Sequence, residues 1–187
     1  GCGHVQLEHT FDLPTMYGEE YGYRSGLNVS MVKHLQEKYE KISNFLDFQK
    51  GDFIIDIAGN DGTFLGFFPP ELKLVSIDPT SKKFSKYFKD HVDYIADFFT
   101  EKTFRKYFGE KKAKLVTSFS MFYDLEDPNT FIADIKKSLA DNRIFVAQLM
   151  CLSSMLKKND LGNICHEHIE FYSYKSLKYM FEKNGLE

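Results

Sequence analysis

Apolar positions recur at two spacings along this chain, and the change between them comes at Asp52. Between residues 25 and 48, Leu27, Met31, Leu35, Ile42, Phe45 and Leu46 fall at helical spacing with charged residues between them, which predicts an amphipathic helix. Beyond Asp52, Phe53-Ile-Ile-Asp-Ile57 is short, nearly unbroken and rich in β-branched residues, as a strand buried on both faces should be. Short apolar runs then alternate with helical ones. Further strands are predicted at 72–77, 92–95, 113–117 and 143–147, with helices at 81–89 and 100–108. Another helix starts at Asp127-Pro128, since Asp can cap and Pro suits the first helical position; its apolar face is Phe131, Ile132, Ile135 and Leu139. Ser173 caps a last helix carrying Leu177, Met180 and Phe181, with Gly185 as its stop. This alternation predicts right-handed crossovers and an α/β fold, an open and mostly parallel sheet with helices on both faces. The first twenty-odd residues have no period and read as an irregular arm.

Composition narrows the field. With 187 residues, 43% of them apolar and 27% charged, the chain can bury one principal core. No apolar run is long enough to span a membrane, and no charged-then-apolar segment at the start of the sequence reads as a signal peptide. The net charge is −3 and the basic residues are dispersed, so a nucleic-acid groove is not expected. Cys2, Cys151 and Cys165 are few and far apart, which reads as reduced thiols in a cytoplasmic protein. Nineteen Phe and eleven Tyr with no Trp is an unusual balance that has no evident functional reason.

The chemistry concentrates at Asp56-Ile-Ala-Gly-Asn-Asp-Gly-Thr63, which leaves the carboxyl end of the first buried strand, where open α/β sheets bind ligands. Gly59 and Gly62 let the backbone turn tightly against a ligand, and Ala58 and Asn60 complete the turn. Asp56 can hold a cationic amine. Asp78, with Pro79 after it, stands about twenty residues on, where a carboxylate can accept both ribose hydroxyls. Asp97 can reach an adenine amino group beside Phe98 and Phe99, and Ser120, a few residues past the next strand, is a further cofactor-binding candidate. A nicotinamide dinucleotide wants Gly-x-Gly-x-x-Gly, whereas these glycines are spaced Gly-x-x-Gly with Asp61 where a phosphate would sit. A nucleoside-triphosphate loop needs Gly-Lys-Ser/Thr, which is lacking. A sulfonium cofactor carries positive charge and no phosphate, so S-adenosylmethionine, leaving S-adenosylhomocysteine as product, fits best. The competing reading is an ordinary strand-to-helix turn.

Four motifs, Tyr21-Gly-Tyr-Arg-Ser-Gly-Leu-Asn28, Asp56-Ile-Ala-Gly-Asn-Asp-Gly-Thr63, Ser76-Ile-Asp-Pro-Thr80 and Asn163-Ile-Cys-His-Glu-His-Ile-Glu-Phe-Tyr-Ser173, occur in the order found in the C-methyltransferases of deoxysugar biosynthesis. The chain resembles that family across nearly its whole length. The resemblance implies a Rossmann-like class I methyltransferase core at 25–187, following an arm at 1–24 that is the remnant of an N-terminal zinc-binding domain. It further implies that both ends are cut from something longer and that a C-terminal domain is missing. Cys2 would be the last ligand of that zinc site, and one thiolate cannot make a tetrahedral centre, so no metal is expected in this fragment.

The family methylates a sugar carbon next to a ketone, in a nucleotide-linked keto-sugar. That carbon must first lose a proton, which calls for a general base and for stabilisation of the enolate oxygen. By resemblance His168 is the base, Glu167 a substrate-binding or orienting group, and His166 an enolate stabiliser. Cys165 departs from the family, in which Tyr commonly precedes His-Glu-His; Tyr21, Tyr23 or Tyr172 could supply the hydroxyl. Two other readings of this stretch stand beside it. His166, His168 and Glu170 would share one side of a strand and could bind a metal, or the motif could simply hold a loop. Tyr17, Tyr21 and Tyr23 either pack on the sheet or close over the cofactor as a lid running to Ser25. His4, His9, His34 and His91 read as surface or structural. The function expected is adenosylmethionine-dependent methylation of a small molecule; the alternative is a cofactor-binding fragment that needs its missing domains or a partner for turnover.

Overall fold

In the computed structural model, which describes residues 4–18 and 20–187, the arm carries a two-residue strand β1 (Val5–Gln6) and one turn of helix α1 (Leu13–Met16). A 3-10 turn at Ser25–Leu27 leads into α2 (Val29–Phe45), where Asn28 Oδ1 caps the Ser30 amide at 3.0 Å. There follow β2 (Phe53–Ile57), β3 (Lys73–Ile77), α3 (Ser81–Phe84), β4 (Val92–Ile95), α4 (Glu101–Phe108) and β5 (Ala113–Phe119). The rest of the chain forms α5 (Pro128–Ser138), β6 (Leu139–Gln148), α6 (Leu152–Lys158), β7 (Glu170–Phe171) and α7 (Tyr174–Lys183). Strands β2 to β6 make one parallel sheet in the order β4-β3-β2-β5-β6, while β1 and β7 pair antiparallel apart from it.

The strand pleat divides the apolar residues between two layers. Phe53, Ile55 and Ile57 of β2 pack with Phe104 of α4, Ile132 and Ile135 of α5, and Leu177 and Phe181 of α7. Ile54 points the other way, toward Leu35 and Ile42 of α2 and toward Phe64 and Phe68. Ile54 and Ile55 are fully buried, and burying a side chain of this size stabilises by about 1.5–3 kcal/mol. The expected α/β architecture is the one observed, a mostly parallel Rossmann-like sheet covered on both faces.

Several elements differ from the sequence expectation. The helix expected at 81–89 is a four-residue α3 followed by a 3-10 turn at Ser85–Tyr87. The segment tightens there so that Phe88 seats against Gly62 and the Tyr94 ring, 5.1 Å away. β6 starts earlier than 143, and it bulges: Leu139 pairs with Ala113 and Ile144 with Leu115, so five residues of β6 pass while β5 passes two. The arm is not wholly irregular, and α6 had no counterpart among the expected helices; only Met155 of its seven residues is buried, so it leaves little periodic signal. Cys2 lies outside the described residues.

Candidate active site

The sheet order reverses at β2, with β3 and β4 to one side and β5 and β6 to the other. Such a switch point leaves a crevice beyond the carboxyl ends of the strands. A cavity of about 500 Å³ opens there, a size usual for small-molecule sites.

The turn after β2 forms its wall. Ala58 (φ 57°), Asn60 (φ 54°) and Gly62 (φ 74°) are all left-handed, a costly conformation for the first two. Hydrogen bonds hold it: the Asn60 amide donates to Asp78 Oδ2 (2.9 Å), and Gly62 N donates to Gly59 O (3.0 Å). Asp78 Oδ1 also accepts from the Thr80 amide and hydroxyl, both at 2.6 Å. A carboxylate offers about four acceptor positions, so three internal bonds leave Asp78 room for one ligand hydroxyl rather than two. At Gly59 a Cβ would stand 2.5 Å from Ser76 Oγ and 2.7 Å from Asp56 Oδ2, so no larger residue fits. Asp56 accepts from the Thr117 hydroxyl (2.6 Å), yet burial, with some help from the charge of Asp78, pushes its carboxyl up to about 7.

The arm is strapped across this turn. Asn60 Nδ2 donates to Tyr23 O (3.2 Å), and the amides of Ser25 and Gly26 donate to Asn60 Oδ1 and Asp61 Oδ2, each at 2.9 Å. The Arg24 guanidinium donates to Asp61 Oδ2 (3.1 Å) and lies 3.8 Å from the centre of the Tyr87 ring. Tyr21, Tyr23 and Ser25 thereby face the cavity.

His168 stands across the cavity. Its Nδ1 lies 2.9 Å from the Asn163 carbonyl oxygen, which can only accept. Nδ1 therefore carries the hydrogen, and in the neutral ring Nε2 keeps its lone pair. The ring also meets the edge of Tyr123, 4.5 Å between centroids. Glu167 is held below the usual carboxylate range: burial raises it, but its own amide, the Cys165 thiol and the two neighbouring histidines outweigh that. One of its oxygens, Oε2, is buried without a hydrogen-bond partner. His166 is at the solvent edge, with its side chain 71% exposed.

Most expected site residues gather here: Asp56, Ala58, Gly59, Asn60, Asp78, Pro79, Phe98, Phe99 and Ser120 line the cavity, as do the histidines and Glu167. Five do not. Asp61 is spent on Arg24, Gly26 and Thr63, so it fastens the strap and does not face a sulfonium. Gly62 turns toward Phe88. Asp97 is exposed and caps the Phe98 amide at 2.8 Å. Cys165 sits beside Glu167 and His168 but is not among the lining residues, and the buried Tyr172 packs on Phe122. The metal grouping of His166, His168 and Glu170 is not formed, because the strand there holds only Glu170 and Phe171, and Glu170 pairs with His4. Cys165, Glu167 and His168 cluster instead, with ligand atoms within 4.8 Å of one another. His34, which bonds Gln148 (2.7 Å), and His91, which bonds the Phe68 carbonyl (3.1 Å), are structural as expected.

Asp124 was missed as a site residue. It is buried and lines the cavity; the Tyr17 hydroxyl donates to its Oδ2 at 2.7 Å, while Oδ1 has no partner. Burial first, and then the charge of Glu167, push it up to about 7 against the Tyr17 hydrogen bond. An acid set among Phe122, Tyr123 and Leu125 just past the end of β5 was the available signal.

A family described as a methyltransferase domain matches residues 31–187, the greater part of the chain. The chain belongs to that methyltransferase family. This methyltransferase domain is also 24% identical, over 99% of its length, to the C-methyltransferase NovU of Streptomyces niveus, of which it spans only 44%. Among solved structures it superposes on the CurJ carbon methyltransferase (TM-score 0.59, 12% identity, 82% of this chain and 46% of that one). It also superposes on the plantazolicin methyltransferase BpumL in complex with a triazolic desmethylPZN analogue and SAH (TM-score 0.57, 14% identity, 86% and 59%). At such identities the likeness is one of fold. No helix of the described residues is long and apolar enough to cross a membrane.

Proposed function

We propose that this chain is an S-adenosylmethionine-dependent C-methyltransferase acting on a carbon next to a carbonyl in a small molecule, a nucleotide-linked keto-sugar being the leading class. The observation that carries the reading is His168, its Nδ1 fixed by the Asn163 carbonyl and its ring on the cavity that the glycine turn walls. The cavity suits the cofactor: Asp56 and Asp78 line it with Phe98 and Phe99, and no lysine or arginine is among its described lining residues. That lining favours a ligand with an ammonium and a sulfonium over one with phosphates. When bound, the cofactor supplies an electrophilic methyl group.

The chain's own residues do the remainder. His168 Nε2 takes the proton from the carbon beside the carbonyl and holds it as imidazolium, stabilised through Nδ1 by Asn163. The C–H electron pair passes into the enolate, and the bound cofactor would supply the methyl group to that carbon as its sulfur–methyl bond breaks, leaving S-adenosylhomocysteine. His166 is the donor at the cavity edge for the enolate oxygen, and Glu167 orients the substrate. Asp56 would hold the ammonium of the cofactor, and Asp78 a ribose hydroxyl.

His168→Ala should lower kcat by roughly 10²–10⁴ while changing affinity for S-adenosylhomocysteine less than about twofold. Parallel loss of both would make His168 structural. A second reading is cofactor binding without turnover, favoured by the exposure of His166 on the open side of the cavity and by similarity to a longer relative. Saturable cofactor binding with no methyl transfer to any keto-sugar would support it.

A further inference from the structure

The chain turns tightly before β7, where the His168 amide donates to Cys165 O (3.2 Å). That turn brings three different donor groups together: a thiol, a carboxylate and an imidazole. The ligand atoms of Cys165, Glu167 and His168 all lie within 4.8 Å of one another, the one such grouping of His, Cys, Asp and Glu among the described residues. Methylation uses Glu167 and His168 separately and gives Cys165 no part. The His168 ring is set as a metal-binding histidine is. Its Nδ1 hydrogen goes to the Asn163 carbonyl at 2.9 Å, leaving the Nε2 lone pair available, and ligating histidines are characteristically oriented by such a bond from the other nitrogen. The same carbonyl lies 3.9 Å from Cys165 Sγ, so one backbone oxygen steadies two of the three donors. Glu167 Oε2 pairs with His166 Nδ1 at 3.4 Å, and a carboxylate has acceptor positions to spare for a cation. Charge points the same way: Glu167 and the buried Asp124 repel each other, and the cavity's described lining holds no lysine or arginine to offset them.

The donor set selects the metal. Magnesium and calcium take oxygen ligands and copper(I) takes sulfur, whereas zinc accepts sulfur, nitrogen and oxygen together. Donors 2.0–2.3 Å from a tetrahedral zinc stand about 3.3–3.8 Å apart, so the cluster must contract by at most roughly 1.5 Å, within reach of side-chain rotation at Cys165 and Glu167. We propose that Cys165, Glu167 and His168 form a zinc site on the cavity wall, and that zinc bound there silences His168 as a base. This site is distinct from the centre to which Cys2 would belong. On binding, zinc replaces the thiol proton of Cys165, which leaves to solvent, and takes lone pairs from Glu167 and His168 Nε2; nothing is oxidised or reduced. Glu167 and His168 line the cavity, so the fourth position opens into it and holds water. With its Nε2 lone pair on the metal, His168 cannot take a proton from a substrate carbon. The silencing, though not the binding, rests on the methylation reading above.

The test uses the chain with Cys2→Ser, so that the arm's thiol takes no metal. It is titrated with zinc chloride by calorimetry and with cobalt(II) chloride by absorption. One zinc should bind per chain with a Kd of about 10 μM or tighter, and cobalt should give a thiolate-to-cobalt charge-transfer band with the intense visible bands of a tetrahedral site. Cys165→Ser should erase the charge-transfer band and weaken zinc binding by ~100-fold or more, beyond the loss that an outer-shell partner causes, with the far-ultraviolet circular dichroism unchanged. His168→Ala should weaken zinc as much. If Cys165→Ser does not fold, Glu167→Gln must weaken zinc by that factor instead. No saturable zinc binding, or a charge-transfer band that survives Cys165→Ser, overturns the site. Methyl transfer to a keto-sugar should fall at least ~10-fold at saturating zinc and return on chelation. Turnover that persists with zinc bound through all three residues overturns the silencing and removes His168 as the base, while the metal site stands.

Discussion

Asp56 does two jobs whose requirements conflict. It ends a strand inside the sheet, only 2% exposed, and it faces the cavity where a cationic ligand is to sit. Burial, with a smaller push from the charge of Asp78, favours its protonated form, pushed up to about 7; an ammonium beside it favours the ionised one. Cofactor binding near pH 6 should therefore release a proton, and near pH 8 it should not, so affinity rises as pH goes from 6 to 8. Titration calorimetry in two buffers of different ionisation enthalpy measures the release directly, and Asp56→Asn should abolish it. Proton uptake instead of release would show that no cation approaches this carboxylate.

The glycine turn and the strap form one element in mechanical terms, since Asn60 and Asp61 bond to residues 23–26 from a backbone with three left-handed residues. Gly62→Ala tests how tightly that element is built. Its Cβ would meet the Phe88 ring at 2.6 Å on a backbone with φ 74°, so the loss should be about 2–4 kcal/mol, or a Tm lower by roughly 4–16 °C. The regular elements here were legible because their signals are local: β2 and β4 match the expected bounds, since a buried strand between turns writes itself in consecutive residues. β1 and β7 were not, because two residues cannot show a period. Asp61 illustrates the limit at the site. Its position in the turn was readable, but its partner Arg24 lies 37 residues earlier in the chain, and only the fold decides whether a carboxylate faces the ligand or the strap. Asp97 fails for the same reason, exposed one residue before a ring that does line the cavity.

Across the whole molecule the two buried carboxyls make the free protein sensitive to pH. Asp56 and Asp124 both have folded values near 7 against an ordinary 3.8. The native state thus binds their protons more readily than the unfolded state does. Their stabilising contribution is full below about 4 and is lost as pH rises through 7. The melting temperature of the wild type, measured relative to that of Asp124→Asn, should accordingly climb as pH falls from 8 to 5; a constant difference would mean that Asp124 titrates as an ordinary exposed carboxyl.

Everything about this chain as an enzyme depends on the cavity beyond β2 and β5 receiving S-adenosylmethionine, and calorimetry with S-adenosylhomocysteine tests that most directly. One molecule should bind per chain with a Kd between roughly 1 μM and 1 mM, the usual range for enzyme ligands, and Gly59→Ala, which drives a Cβ into Asp56 and Ser76, should remove the binding. No saturable binding to the wild type, or binding that survives Gly59→Ala unchanged, would contradict it.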